Sequence, residues 1–200
     1  KPNDFILGRE AALETILDIL DESSIIVSTT GKTSREIFEI REKRRKSHQQ
    51  DFLTVGSMGH CSSIALGIAI AKPERKIFCL DGDGSLIMHM GSLATVGKLS
   101  PHNFYHILLN NFVHESVGGQ ETSAKYIDIP SLVKSNGYKN IYSCKDEENL
   151  VSKMNLLIKE SGPNFLEVKV KPGSRKNLGR PTINPKENKK DFMNFVKKIK

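Results

Sequence analysis

Asp83 stands between two glycines in "KIFCLDGDGSLIM", residues 76 to 88. The run Ile77 to Leu80 is apolar enough for a buried strand, so Asp81 and Asp83 come at a strand exit, just ahead of a helix. Near Ser85 that helix offers free backbone N–H groups to a phosphate. An acid beside a phosphate repels it unless a divalent cation lies between, and magnesium accepts carboxylate and phosphate oxygens in one shell. The dinucleotide pattern G-x-G-x-x-G is not met, because Ile87 occupies its third glycine position. The turn therefore asks for a metal-bound diphosphate.

Further ligands should come from a neighbouring strand end, and "LLNN" supplies one. Between Gly84 and Asn110 lie 25 residues, room for one helix and one strand back to the same edge. Asn111 offers an amide oxygen and Val113 a backbone carbonyl. Asp-Gly and Asn-Asn pairs are each ordinary turn material; their conjunction at consecutive strand ends carries the signal.

The elements that must hold these groups alternate. "SIIVSTT", "DFLTVGS", "KIFCLDGDG", "NFYHILLNN", "YKNIYSC" and "NFLEVKV" read as strands, with helical spacing between most of them. "SREIFEIREKR" reads as a helix, and a single helix is expected after Asp83, with Leu86, Met90, Leu93, Ala94 and Gly97 on one stripe. "HESVGGQET" reads as a loop. The expectation is α/β: a doubly wound, six-stranded parallel sheet with helices on both faces. It should fill residues 1–172, leaving 173–200 as an irregular arm that ends in the short helix "DFMNFVKKIK".

Composition narrows the partners. Two hundred residues, 38% of them hydrophobic, allow one sizeable domain. No apolar run is long enough to span a bilayer and no signal peptide is visible, so a membrane is not expected. Three scattered cysteines suit a reducing cytoplasm and fit no zinc or disulfide spacing. The net charge of +7 points to anionic partners. "REKRRK", Arg41 to Lys46, reads either as a nucleic-acid contact or as the solvated end of a helix. No stacking aromatics or DNA-binding signature accompany it, so nucleic acid is not expected. The first residue is Lys1, which suggests a piece of a longer chain.

GDG followed at this distance by NN resembles the signature of thiamine diphosphate enzymes, in their diphosphate-binding domain. The resemblance implies Mg2+ held by Asp83, Asn111 and the Val113 carbonyl, with Gly82, Gly84 and Ser85 around the diphosphate. "VGSMGH" resembles the glycine loop that wraps the middle of the cofactor. It implies contacts from Gly56 and Ser57, with Met58 as the wedge that bends the cofactor. "GSMGH", "DGDGSLIMHMG", "LLNN", "HESVGGQET" and "LGRPT" together resemble the C-terminal half of the phosphonopyruvate decarboxylase family, with sulfopyruvate decarboxylases as close relatives. Two departures stand out: Phe112 and Val113 replace small residues, and Glu115 stands where the family pattern suggests aspartate.

What this implies is decarboxylation of phosphonopyruvate to phosphonoacetaldehyde and CO2, in phosphonate biosynthesis. His114 is the first candidate for proton transfer and Glu115 the second; His114 reads equally as a loop histidine bonded to backbone. A phosphonate needs a cation, and the planar fork of arginine suits a tetrahedral oxyanion, so Arg175 and Arg180 in "GSRKNLGRPT" are candidate substrate ligands, or else solvated tail. The glutamate such enzymes place on the cofactor's N1′ comes from a pyrimidine-binding domain, for which six strands leave no room. That domain is expected on a separate subunit or in the rest of a longer polypeptide, and a homo-oligomer is expected. The alternatives are a sulfopyruvate decarboxylase subunit and a non-catalytic thiamine diphosphate-binding domain.

Overall fold

Strands form where the apolar runs are. A computed structural model describes residues 5–198, so Lys1 and the last two positions of the expected C-terminal helix lie outside it. Strands β1 (Ile25–Ser28), β2 (Asp51–Leu53), β3 (Ile77–Gly82) and β4 (Phe104–Asn110) come first. Two-residue strands β5 (Val113–His114) and β6 (Gln120–Glu121) pair only with each other. Strands β7 (Asn140–Cys144) and β8 (Asn164–Lys169) complete a six-stranded sheet in the order β2-β1-β3-β4-β8-β7. Every pairing in it is parallel.

Alternation along the strands builds two cores. Ile26, Phe78, Leu80, Tyr105 and Ile107 face one way, toward α1 (Arg9–Ile19), α2 (Lys32–Lys43) and, later in the chain, α7 (Glu147–Leu157). Ile25, Val27, Cys79 and Leu108 face the other way, toward α3 (Cys61–Ala71), α5 (Ser92–Leu99) and α6 (Ile129–Ser135). Both faces are covered, which is why the strands read as continuous apolar runs. Phe78 is fully buried, and truncating it to alanine would cost about 3–5 kcal/mol. Local signals set the helix limits: Asp146 caps α7 by accepting the Asn149 N–H at 2.9 Å.

The structure departs from the sequence reading in three places. The single helix expected after Asp83 is two, α4 (Asp83–Met88) and α5, broken at His89–Gly91. The break leaves Met90 37% exposed and lays His89 over His60, ring centroids 4.2 Å apart. "REKRRK" is the end of α2 and is largely paired. Arg41 is buried on Asp51 at 2.9 Å, while Lys43, Arg44 and Lys46 reach Glu14, Asp18 and Glu22. The arm also gains structure early. Helix α8 starts at Pro185, where a missing N–H costs nothing, and buries Phe192 and Phe195.

Order β2-β1-β3 means the chain leaves β1 toward one edge and returns to its other side as β3. A crevice opens beyond the carboxyl ends of strands at such a reversal. Here those ends are Ser28 and Gly82.

Candidate active site

Asp81 and Asp83 leave β3 for different environments. Asp81 is fully buried, with its Oδ1 accepting the Gly82 N–H at 2.9 Å and its Oδ2 3.4 Å from His106 Nε2. Asp83, the first residue of α4, lines the crevice with Met58, Gly82, Gly84 and Ser85. It is nonetheless only 2% exposed. Burial, the largest influence, pushes its carboxyl above the ordinary range. The Thr122 hydroxyl donates to Oδ2, and the N–H groups of Asp83, Gly84 and Asn111 also favour the ionised form, but they offset burial only in part.

The two asparagines part in the same way. Asn110 donates to Glu167 at 2.8 Å inside the sheet. Asn111 lines the crevice, and its Oδ1 accepts the Val113 N–H at 3.1 Å. Phe112, directly after them, holds φ +62°, the left-handed region that costs a side-chain-bearing residue about 1–2 kcal/mol. That is the physical reason a small residue is at home there; Phe112 is steadied by stacking on Phe5, centroids 5.9 Å apart.

The "VGSMGH" loop lies against this turn. Gly59 donates its N–H to Ser85 Oγ at 3.1 Å, joining the two glycine segments. At Gly59, φ +90°, a Cβ would fall 2.3 Å from the His89 ring, so only glycine fits. Met58 enters the crevice, with its Cε 3.3 Å from where a Cβ on Gly84 would stand. The His114 ring lies over the same glycine, its Nδ1 only 2.5 Å from that position. Gly56 and Ser57 stay on the exposed rim, where Gly56 donates to Thr30 Oγ1 at 3.1 Å.

Glu115, the second candidate for proton transfer, lines the crevice beside His114 but is already paired. Its Oε2 accepts from Arg9 at 2.8 Å with Lys32 Nζ at 3.7 Å, and its Oε1 accepts the Gly173 N–H. Burial alone would raise its pKa, but Arg9, the Gly173 N–H and Lys32 overcome that and hold it below the ordinary carboxylate range. Arg9 is shared with Glu36, at 2.7 and 2.8 Å. The guanidinium is held charged by both acids against its burial. Glu36, with only that shared cation, is still raised by its own burial. Glu115 is thus a tether between the β5–β6 loop, α1 and the C-terminal arm rather than a free acid.

The two arginines of the arm also divide. Arg175 pairs with Glu10 at 3.0 Å and with Glu39, on the outer side of α1 and α2. The expectation that it meets substrate does not fit this geometry, because its fork is already taken. Arg180 is exposed in a groove of about 390 Å3 that meets the crevice at Thr30 and Ser116.

Sequence reasoning passed over Arg9, Lys32, Thr29 and Thr122. Lys32 was the legible one: Gly31-Lys32-Thr33 between a strand and a helix is a recognisable anion-binding pattern in part. Arg9, Thr29 and Thr122 carried no local signal, since their roles come from neighbours distant in the chain.

The residues present fit a diphosphate carried on magnesium. A carboxylate, an amide oxygen and a carbonyl are hard oxygen donors, and the carboxylate's leading neighbours are a hydroxyl and N–H groups rather than a cation.

Comparison with known proteins supports the thiamine diphosphate part of this reading. The family described as "Thiamine pyrophosphate enzyme, C-terminal TPP binding domain" matches residues 29–168. Phosphonopyruvate decarboxylase of Streptomyces hygroscopicus is 38% identical over 98% of this chain and 47% of its own length. The chain thus spans about half the length of that relative. Sulfopyruvate decarboxylase subunit beta of Methanococcus maripaludis is 37% identical over 96% of this chain and 99% of its own. An X-ray structure from Mycobacterium smegmatis, described as a thiamin diphosphate-dependent enzyme, superposes with TM-score 0.69 at 18% identity. It covers 84% of this chain and 32% of that one, and supports the fold. With its crevice, its glycine–acid turn and its asparagine pair in one place, the chain belongs to the thiamine pyrophosphate enzymes, within their C-terminal TPP-binding domain family.

Proposed function

We propose that this chain is the diphosphate-binding part of a decarboxylase that converts phosphonopyruvate to phosphonoacetaldehyde and CO2 in phosphonate biosynthesis, with thiamine diphosphate and Mg2+ as cofactors. The observation that carries the reading is the convergence of Asp83, Asn111 and Val113 on one crevice at the β1/β3 reversal. Similarity at 38% identity to a protein named for that substrate supports it. Residues 1–172 are the cofactor-binding domain, and 173–200 an arm whose helix α8 packs beside β2. A pyrimidine-binding domain, on a partner subunit or elsewhere in the same polypeptide, completes the site. We assign the enzyme to the cytoplasm and expect it to be a homo-oligomer; no helix among the described residues is long and apolar enough to cross a membrane.

When bound, thiamine diphosphate supplies a nucleophilic carbon and an electron sink for the loss of CO2. This chain's residues bind and orient. Asp83, the Asn111 amide oxygen and the Val113 carbonyl would hold the metal, and Gly82, Gly84 and Ser85 would leave room for phosphate oxygens. Met58 would wedge against the cofactor from within the crevice, with Gly56 and Ser57 shaping the rim. His114 stands over Gly84, where it would give a proton to the substrate carbon after CO2 is lost. Glu115, held ionised by Arg9, fixes the loop that carries His114. Arg180 attracts the anionic substrate at the outer groove.

A second reading, a sulfopyruvate decarboxylase subunit, is favoured by one observation: this chain covers 99% of the Methanococcus beta subunit. Product analysis separates the two. The complete enzyme, with its pyrimidine-binding part, is given each acid. Phosphonoacetaldehyde formed faster, by at least about tenfold in kcat/KM, supports the first reading. Preference for sulfopyruvate establishes the second, and turnover of neither leaves a non-catalytic binding domain.

A further inference from the structure

Beneath the glycine–acid turn, on the side of β3 that faces α3, lies a polar cluster with no role in the scheme above. Cys79 and Asp81 are alternate residues of β3 and so share a face of the sheet. His106 on β4 is the register partner of Cys79. Cys61, the first residue of α3, packs onto the same face, its Sγ 3.5 Å from that of Cys79. All four residues are at most 1% exposed, in a core that includes Val27, Leu108 and Phe165. Cys79, Asp81 and His106 each bring one possible ligand atom within 4.8 Å of the other two.

Two atoms of this cluster are orphans. Asp81 Oδ2 and His106 Nε2 stand 3.4 Å apart, yet neither has a hydrogen-bond partner among the described residues. Buried polar atoms are seldom left so. The opposite ends of both side chains are fixed. His106 Nδ1 meets the Tyr138 hydroxyl at 3.0 Å, and Asp81 Oδ1 accepts the Gly82 N–H at 2.9 Å. With Nδ1–H donating to Tyr138, the Nε2 lone pair is free to bind a metal, and such outer partners are what orient ligating side chains. The spacings suit one ion. Tetrahedral zinc, with bonds near 2.3 Å to sulfur and about 2.0–2.1 Å to nitrogen and oxygen, holds two sulfurs about 3.8 Å apart and a nitrogen and an oxygen about 3.4 Å apart. The sulfurs here are 3.5 Å apart and the nitrogen and oxygen 3.4 Å.

We propose that Cys61, Cys79, Asp81 and His106 form a structural zinc site, distinct from the oxygen donors around Asp83. Two thiolates and an imidazole select zinc over magnesium. Four protein ligands leave no open position, which makes the site structural rather than catalytic. Binding displaces the two thiol protons to solvent, and full burial means that the ion enters as the chain folds. No local spacing joins these residues; the register of β3 with β4 and the seat of α3 do. Cys61 comes three residues after Met58 and Asp81 two before Asp83, so a single ion ties the glycine loop to the glycine–acid turn from below. The proposal is independent of the decarboxylase reading.

The test is metal analysis of the complete enzyme, purified without chelator from zinc-supplemented cells. About one zinc per chain is expected, and Asp83→Ala should retain it. Refolding with Co2+ in place of zinc should give thiolate-to-cobalt charge-transfer absorption together with strong tetrahedral d–d bands, a signature that oxygen ligands alone do not produce. Cys61→Ser, which leaves one thiolate of two, should lower the charge-transfer band about twofold. His106→Gln should weaken Co2+ binding by at least about tenfold. The wild-type spectrum decides even if a variant fails to fold: no thiolate band after refolding with Co2+ overturns the site, and Asp81 and His106 are then a buried proton-sharing pair. A Cys61–Cys79 disulfide found by mass spectrometry in the freshly purified, unreduced enzyme overturns it as well. Neither result touches the decarboxylase reading.

Discussion

Asp83 and Glu115 line the same crevice, yet the protein treats them in opposite ways. Glu115 has Arg9 and Lys32 beside it and a backbone N–H on its second oxygen; its charge is provided for. Asp83 is more deeply buried and is served by a hydroxyl and N–H groups, so burial keeps its carboxyl raised. The difference separates two uses of acid. A carboxylate that already has its cation holds structure together, and one kept short of a cation is ready to accept it from outside.

The comparison can be broken at either end, and the largest effect should come from its structural side. Arg9→Met leaves Glu36 and Glu115 without their shared partner in a site where Glu36 is 1% exposed. Denaturant unfolding should show a loss of about 3–5 kcal/mol, the usual cost of stranding a buried charge. A loss under about 1 kcal/mol, within the range of exposed pairs, would mean the tether is solvated. Asp83→Ala should do the reverse, leaving stability nearly intact while lowering Mg2+-dependent thiamine diphosphate affinity. A ligand's loss should exceed the roughly 10–100-fold that supporting residues contribute; unchanged affinity in calorimetry of the complete enzyme would remove Asp83 from the metal.

Glu115→Gln sharpens the contrast through pH. Because Glu115 is more acidic folded than unfolded, its contribution is complete above its ordinary value of 4.5 and is lost as pH falls through the lower folded value. The variant should therefore trail the wild type by about 1–3 kcal/mol near pH 7, and the gap should close below pH 4.5. A gap that persists into strong acid would show that shape, not charge, is what the loop needs. The smallest effect belongs to Thr122→Val, which removes the hydroxyl from Asp83 Oδ2. Mg2+ affinity should fall about tenfold, the low end of the roughly 10–100-fold that supporting groups contribute. A loss well beyond about a hundredfold would promote Thr122 to the metal's own shell.

The parts of this site that could be read from the chain are those whose meaning is local. Gly82-Asp83-Gly84 and Asn110-Asn111 mark strand ends because turn chemistry and apolar runs sit next to each other, and all six sheet strands were legible for the same reason. The break at His89–Gly91 was not, because Leu86, Met90 and Leu93 keep helical spacing across it. What imposes the break is His89 packing on His60 and Gly59, some thirty residues away in sequence. Arg175 read as a substrate ligand since nothing nearby in sequence opposes it; its partner Glu10 is 165 residues distant. Glu115 is similar, with Arg9 106 residues away. Charge partners across a fold leave no trace in spacing.

Asn188, on α8, accepts the Leu53 N–H at 3.2 Å and donates to the Asp51 carbonyl at 3.0 Å. One side-chain amide thus occupies the donor and acceptor that a neighbouring strand would otherwise take from β2, a three-residue edge. Uncovered edges of this kind recruit strands from other molecules. The C-terminal helix therefore acts as a guard against self-association, and its failure would appear first as aggregation during expression, with the chemistry of the crevice still sound.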